Sequence, residues 1–377
     1  MTALVMTESD PKQTNLIAEP RLRPTDTPAT FRRCIASGKA TRKRRRMTTT
    51  PTPGSAEWLA QVKEPIVDPH HHLWHADDEY DVYLLDHLWA DTGSGHKIVK
   101  TVFVECGEEY LVDGPEHLRC TGETAFVTAI AGDSRRGPGP EIAGIVAFAD
   151  LTGGKGLCET LDRHTEIAGD LFSGIRHRAA HAEHPECLSI AGKAPKGLMA
   201  DDAFREGAAL LGRRGLPFDS WHYHYQNREF LELAQAVPET LFVLDHFGTP
   251  LGVGPYAAER KEIFDHWKRD IADIAKCDNV VAKLGGLAMP DNGFGWDKAA
   301  RPAHSDEIVD AHRDYYLHTI ECFGTDRCML ESNFPVDRQS VSYAVLYNAL
   351  KKNVADFSES EKAAMFSSNA ERVYSLC

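Results

Sequence analysis

Ile66-Val67-Asp68-Pro69-His70-His71-His72-Leu73-Trp74 is the stretch on which the reading of this chain turns. An apolar β-branched pair opens it, and histidines follow where a short strand would end. Side chains alternate along an extended segment, so His70 and His72 project to one side and His71 to the other. Two imidazoles from one rigid strand end can then reach one ion or one substrate. A doubly wound open sheet, the competing α/β architecture, needs a glycine-rich phosphate turn at this point, and the chain has histidines instead.

Beyond this segment short β-rich runs alternate with helical periods. The runs fall at 66–70, 98–105, 142–149, 171–175, 216–221, 240–245, 279–284 and 327–332. Helical patterns fall at 122–131, 202–213, 229–236, 259–275 and 307–322, and the patterns at 341–351 and 359–374 close the chain. Strand alternating with helix signifies a parallel sheet. Eight such runs predict an α/β fold of the (β/α)8 TIM-barrel type, a single domain over 57–377 with its site at the strand C-termini.

The 377 residues include 42% hydrophobic and 26% charged residues, ordinary globular values. No apolar run approaches the ~18 residues needed to cross a bilayer. Nine cysteines are scattered and never spaced as CxxC; they read as reduced thiols of a cytoplasmic protein rather than a disulfide framework or a thiolate zinc site. Net charge is −14, yet residues 1–47 carry eleven Lys/Arg against four Asp/Glu. The body is therefore more acidic than the whole, which excludes nucleic acid as an expected partner. Residues 1–56 are rich in Thr, Pro, Arg and Lys and include Lys43-Arg44-Arg45-Arg46. They read as a disordered basic extension, either native or an over-extended start ahead of Met47.

Asp68–Trp74 resembles the first-strand Asp-x-His-x-His of the amidohydrolase superfamily, specifically the amidohydrolase-related branch that holds lactone hydrolases and zinc-dependent aromatic-acid decarboxylases. The similarity continues through Val102-Phe103-Val104-Glu105-Cys106, Gly174-Ile175-Arg176-His177, Leu244-Asp245-His246-Phe247-Gly248, Lys283-Leu284-Gly285-Gly286 and Glu331-Ser332-Asn333-Phe334-Pro335-Val336-Asp337. The resemblance implies a hydrolase whose site uses His70, His72, His224 and His246, with a divalent metal, zinc first, or a metal-free variant of the same site. Neutral imidazole serves both as zinc ligand and as general base.

One position departs from the family pattern. Many members end the eighth strand with Ser-Asp-aromatic-Pro, and here Asn333 stands for the aspartate. An amide accepts no proton and is a weak zinc ligand. Glu105 and Glu331 are the acids placed to supply the missing charge, with Asp337 as a further candidate. The expected site therefore has His70, His72, Glu105 and His224 as metal ligands and His246, Glu331, Asn333 and Asp337 as catalytic groups. Arg176, His177 and Lys283 are the expected substrate-binding groups, because a guanidinium or ammonium facing the site would hold a substrate carboxylate.

The expected activity is hydrolysis of a small cyclic ester or related carbonyl compound. Nonoxidative decarboxylation of an aromatic acid is the alternative enzyme, and a ligand-binding barrel without catalysis is the alternative from another class. The expected partner is a small-molecule substrate, with neither nucleic acid nor membrane, and a homo-oligomer is left open.

Overall fold

The computed structural model describes residues 65–77 and 80–377, so the expectation of a disordered extension over 1–56 lies outside the described residues. Eight strands run in chain order: β1 Ile66–His71, β2 Ile98–Val104, β3 Glu141–Ala147, β4 Phe172–Arg176, β5 Phe218–Ser220, β6 Phe242–Leu244, β7 Val280–Leu284 and β8 Cys328–Leu330. Each pairs in parallel with the next. The ring closes through His72 N donating to Phe334 O at 2.8 Å and Asn333 N to His70 O at 3.0 Å. This is the TIM barrel that the eight runs predict.

Helices fill the crossovers: α1 Leu85–Thr92, α2 Thr121–Ser134, α3 Lys155–Ala168, α4 Asp202–Arg213, α5 Asn227–Ala236, α6 Arg260–Ile274, α7 Ser305–Phe323 and α8 Tyr343–Asn353. Local chemistry sets several ends. Asp201 accepts from Phe204 N at 3.1 Å to start α4, and Ser342 caps α8 through Val345 N. The pattern at 359–374 forms one unbroken helical run over 359–373, in which Glu359–Ala363 and Asn369–Val373 flank a π-helical turn. The sequence reading missed α1, which is short, and α3. In α3 the buried stripe Leu157, Leu161, His164 and Ala168 includes a histidine, whose Nε2 lies 2.9 Å from Phe148 O. A polar residue on the inner face hides the apolar period.

The barrel interior has two layers. Val67, Val102, Val104, Val146, Val243, Val281 and Met329 form the lower, apolar one, plugged by Ala370, Val373 and Tyr374. Asp245, Lys283 and Glu331 follow Val243, Val281 and Met329 by two residues, and with Arg176 of β4 and Asp219 of β5 they form a buried charged layer. The charged layer thus lies toward the strand C-termini.

Asp68 fastens β1 to the chain after β8. Its carboxylate accepts Ser332 N at 2.9 Å, Ser332 Oγ at 2.6 Å and Tyr343 Oη at 2.9 Å. Tyr343→Phe removes one donor to a buried acid and is expected to cost about 1–2 kcal/mol, read from the urea midpoint. An unchanged midpoint would mean that the tyrosine contributes nothing to closing the barrel.

Candidate active site

Three imidazoles meet at the C-terminal mouth, two of them fixed through Nδ1. His72 Nδ1 lies 2.8 Å from Val104 O, so it is the donor and Nε2 carries the lone pair. His246 Nδ1 lies 2.6 Å from Glu331 Oε1, and His70 Nδ1 lies 3.0 Å from Glu331 Oε2. Glu331 Oε1 thereby orients the His246 ring, while His70 Nδ1 also has Lys283 Nζ at 3.3 Å. His71 faces outward and packs edge-on against Phe103 at 6.0 Å between centroids, as alternation requires.

The Nε2 atoms of His70 and His72 approach to 3.3 Å. With the His70 proton on Nε2, as Lys283 Nζ 3.3 Å from His70 Nδ1 allows, this is a hydrogen bond to the His72 lone pair; with the proton on Nδ1 the spacing suits a cation between two lone pairs. A tetrahedral ion with bonds of ~2.0–2.1 Å would hold its ligands about that far apart. Burial, with Lys283 near His70 and Arg176 near His72, holds both rings far below their ordinary pKa and therefore neutral. Neutral imidazole is the form a divalent ion requires. The pair offers two nitrogen donors to such an ion, His246 and Glu331 lie within reach of His70 as further ligand groups, and Arg176 Nη1, 3.4 Å from His70 Nε2, adds positive charge beside them.

Backbone geometry supports the constellation. His246 and Asn333 have φ of 52° and 56°, the left-handed region that His and Asn tolerate better than bulky residues. Gly285 and Gly286 make room for the His246–Glu331 pair. A Cβ at Gly286 would lie 2.5 Å from His246 Nδ1, and one at Gly285 would lie 2.4 Å from Glu331 Cγ.

Charge around the rings is nearly balanced. Lys283 Nζ bonds Asp219 at 2.6 Å and lies 3.4 Å from Asp245. Burial alone would raise Asp245, but Lys283, His246 and Arg176 hold it below the usual carboxylate range. Burial likewise opposes a charged His246, and Glu331 followed by Asp245 overcomes it, leaving this pKa raised.

The other expected site residues are spread more widely. Glu105 is wholly buried and engaged by arginines: Arg176 Nε at 2.8 Å, Arg178 Nε at 2.9 Å and Arg178 Nη2 at 2.7 Å. Burial would raise its pKa, but Arg178 and Arg176 hold it low. His224 is not brought to the group; its Nδ1 accepts Leu251 N at 3.2 Å and its ring meets Tyr225 and Tyr256. His177 also lies apart, accepting Leu151 N at 3.2 Å. Asp337 reaches the mouth only through Asn333, whose Nδ2 donates to it at 2.9 Å, and burial pushes its carboxyl up to about 7. The sequence reading passed over Arg178, although its separation from Arg176 is the same as that of His70 and His72 and was the signal for it.

Above the rings lies a cavity of about 300 Å³ lined by His72, His246, Arg176, Arg178 and Asn333, with Trp74, Trp221, Met289 and Val336 among its apolar walls. A neutral pair of imidazole nitrogens, a carboxylate-backed imidazole and a chamber with both polar and apolar walls are suited to water attack on a carbonyl.

Residues 67–376 match the sequence model of the family described as Amidohydrolase. The chain belongs to the amidohydrolase family. Protein y4mH of Sinorhizobium fredii is 31% identical to this amidohydrolase over 324 residues, 82% of the chain and 98% of the relative. An L-fucono-1,5-lactonase of Burkholderia multivorans is 23% identical over 327 residues, 82% of the chain and 96% of the relative. Among solved structures, an amidohydrolase from Burkholderia multivorans with bound zinc superposes with a TM-score of 0.65 at 21% identity, covering 83% of this chain and all of that one. The amidohydrolase is thus an enzyme of hydrolase type. No helix among its described residues is long and apolar enough to cross a membrane.

Proposed function

We propose that this amidohydrolase opens a small cyclic ester by attack of water on the carbonyl carbon. The observation that carries the reading is the meeting of three imidazoles at the mouth, with His72 anchored to Val104 O and His246 backed by Glu331 at 2.6 Å. A lactonase among the relatives and a zinc ion bound to a structural neighbour support it. His70 and His72 would hold a divalent ion, zinc first, through Nε2. When bound, such an ion polarises the ester carbonyl, lowers the pKa of water and, by like-charge repulsion, moves His246 toward its neutral form.

His246 Nε2 then takes the proton of the attacking water as the carbon–oxygen bond forms. Glu331 Oε1 stabilises the resulting imidazolium through Nδ1. The ring carbon–oxygen bond breaks, and Nε2 returns the proton to the departing alkoxide, giving a hydroxy acid. Asn333 keeps one amide hydrogen on Asp337, which fixes the side chain and leaves the other hydrogen for an ester oxygen. Asp337 is a positioning residue in this account. Arg176 and Lys283 set the field below the rings, and Glu105 balances the arginines rather than binding metal; His224 and His177 take no part in the step.

Protein purified without chelator is expected to carry about one equivalent of divalent ion per chain, measured by elemental analysis. His72→Ala should weaken zinc affinity by about 100-fold or more in competition with a colorimetric chelator, beyond the effect of losing an outer-shell partner. Unchanged affinity in His72→Ala would remove the ion from this place.

A further inference from the structure

We infer that Ile190 sets the size limit on the substrate, as a fixed stop on one side of the cavity above the histidines. Which reaction is limited in this way rests on the cyclic-ester reading; the limit itself rests on how Ile190 is held. Residues 177–201 connect β4 to α4 and fold as two arms laid against each other. His181 pairs antiparallel with Lys193, Ala194 N donates to Ala180 O at 3.0 Å, and Ala182 N donates to Gly192 O at 3.2 Å. Only a glycine permits that approach at 192, since a Cβ there would lie 2.2 Å from Ala180 O. Ile190 sits on the returning arm and lines the same cavity as His72, His246 and Asn333.

Two other loops hold the backbone at this residue. Its N–H donates to Asp291 Oδ2 at 3.0 Å, and the Ser189 N–H donates to Oδ1 of the same carboxylate at 2.6 Å. Its carbonyl accepts Tyr223 Oη at 3.0 Å, and that oxygen accepts Gly192 N at 2.8 Å. Asp291 follows β7 and Tyr223 follows β5, and both are buried. The Asp291 segment is anchored in turn: Gly252 N donates to Asp291 O at 2.9 Å, and Asn292 Nδ2 donates to Pro250 O at 2.9 Å. The Ile190 side chain packs against the buried cluster that includes Trp221, Tyr223 and Leu251.

A loop residue tied down by none of these bonds would move aside for a ligand at little cost. Ile190 cannot: its N–H, its carbonyl and its neighbours on both sides are held from three loops, and a β-branched side chain has little freedom at χ1. The lining as a whole is mixed, with His75, Glu108 and Arg178 among its polar members, so Ile190 selects by size and not by polarity. Ring compounds are sorted by the length of the substituent directed at it. A chain that just reaches Ile190 is accepted, and a longer one meets a side chain that does not yield.

The test uses 5-alkylpyrrolidin-2-ones, ring amides with chains from methyl to hexyl, as probes of binding without ring opening, their affinities read by ligand-observed NMR titration of the full chain. Affinity is expected to fall roughly ten- to hundred-fold at one chain length within the series. Ile190→Ala should move that fall to a longer chain and Ile190→Phe to a shorter one, opposite shifts that a loss of folding cannot produce. Asp291→Asn cannot accept both N–H groups, so with Ile190 still present the fall should become gradual; Asp291 is a positioning residue. No fall within the series, a fall at the same length in both Ile190 variants, or no binding of any probe overturns the proposal. The matching alkyl lactones, assayed separately for opening, test the reaction: failure of all to open, with the fall in ring-amide affinity intact, refutes the cyclic-ester reading and leaves the size limit standing.

Discussion

His246→Gln is expected to lower turnover of a cyclic ester by about 10²- to 10⁴-fold, the usual contribution of a positioned proton carrier. Glutamine can still donate to Glu331 but cannot accept and return a proton. His246 lies at a strand end facing the cavity rather than in the apolar layer, so its replacement should leave the melting temperature within a few degrees of the parent. The checks are kcat on a lactone substrate and the thermal transition of the same preparation. A variant with full turnover would remove His246 from the chemistry. A variant inactive only because it no longer folds would place it in the packing, and Glu331→Gln separates the two: it keeps the shape of the pair and withdraws the charge that stabilises the imidazolium, so kcat should fall there as well.

The second large effect is on stability. Glu105→Gln removes the carboxylate on which Arg176 and Arg178 converge, at a position with no exposure. Breaking a buried charged pair from one side leaves cations without their counter-ion, and the expected loss is about 3–5 kcal/mol, seen as a lower denaturant midpoint. Sequence reasoning gave Glu105 to a metal, which predicts loss of the ion from a protein of normal stability. The geometry predicts the reverse order: destabilisation first, and metal content unchanged in whatever remains folded.

Much of this was legible because strand ends in a barrel are ordered by the chain. The apolar pair before His70 and the alternation of His70 with His72 depend only on local backbone geometry, and they placed two rings on one side correctly. His246 and Glu331 were found as strand-end residues, but their pairing across 85 positions depends on Gly285 and Gly286 leaving space, which no periodicity records. Glu105 and Arg178 illustrate the opposite limit. A lone acid at a strand end looks like a ligand until the cations from β4 and the residues after it close over it, and that closure is tertiary. His224 carried a residue type suited to the site, yet its loop turns it into an aromatic cluster with Tyr225 and Tyr256. The buried His164 in α3 shows why the helix itself was passed over: the inner stripe is completed by a hydrogen-bonded ring instead of an aliphatic side chain.

The central claim is that water enters at an ester carbonyl of a ring and that no carbon is lost. Mass spectrometry of the product formed in heavy-oxygen water tests it most directly, using a panel of five- and six-membered lactones. The account predicts a hydroxy acid carrying one labelled oxygen in its carboxylate, with no carbon dioxide released. Release of carbon dioxide, or a product whose carboxylate carries no label, would contradict it.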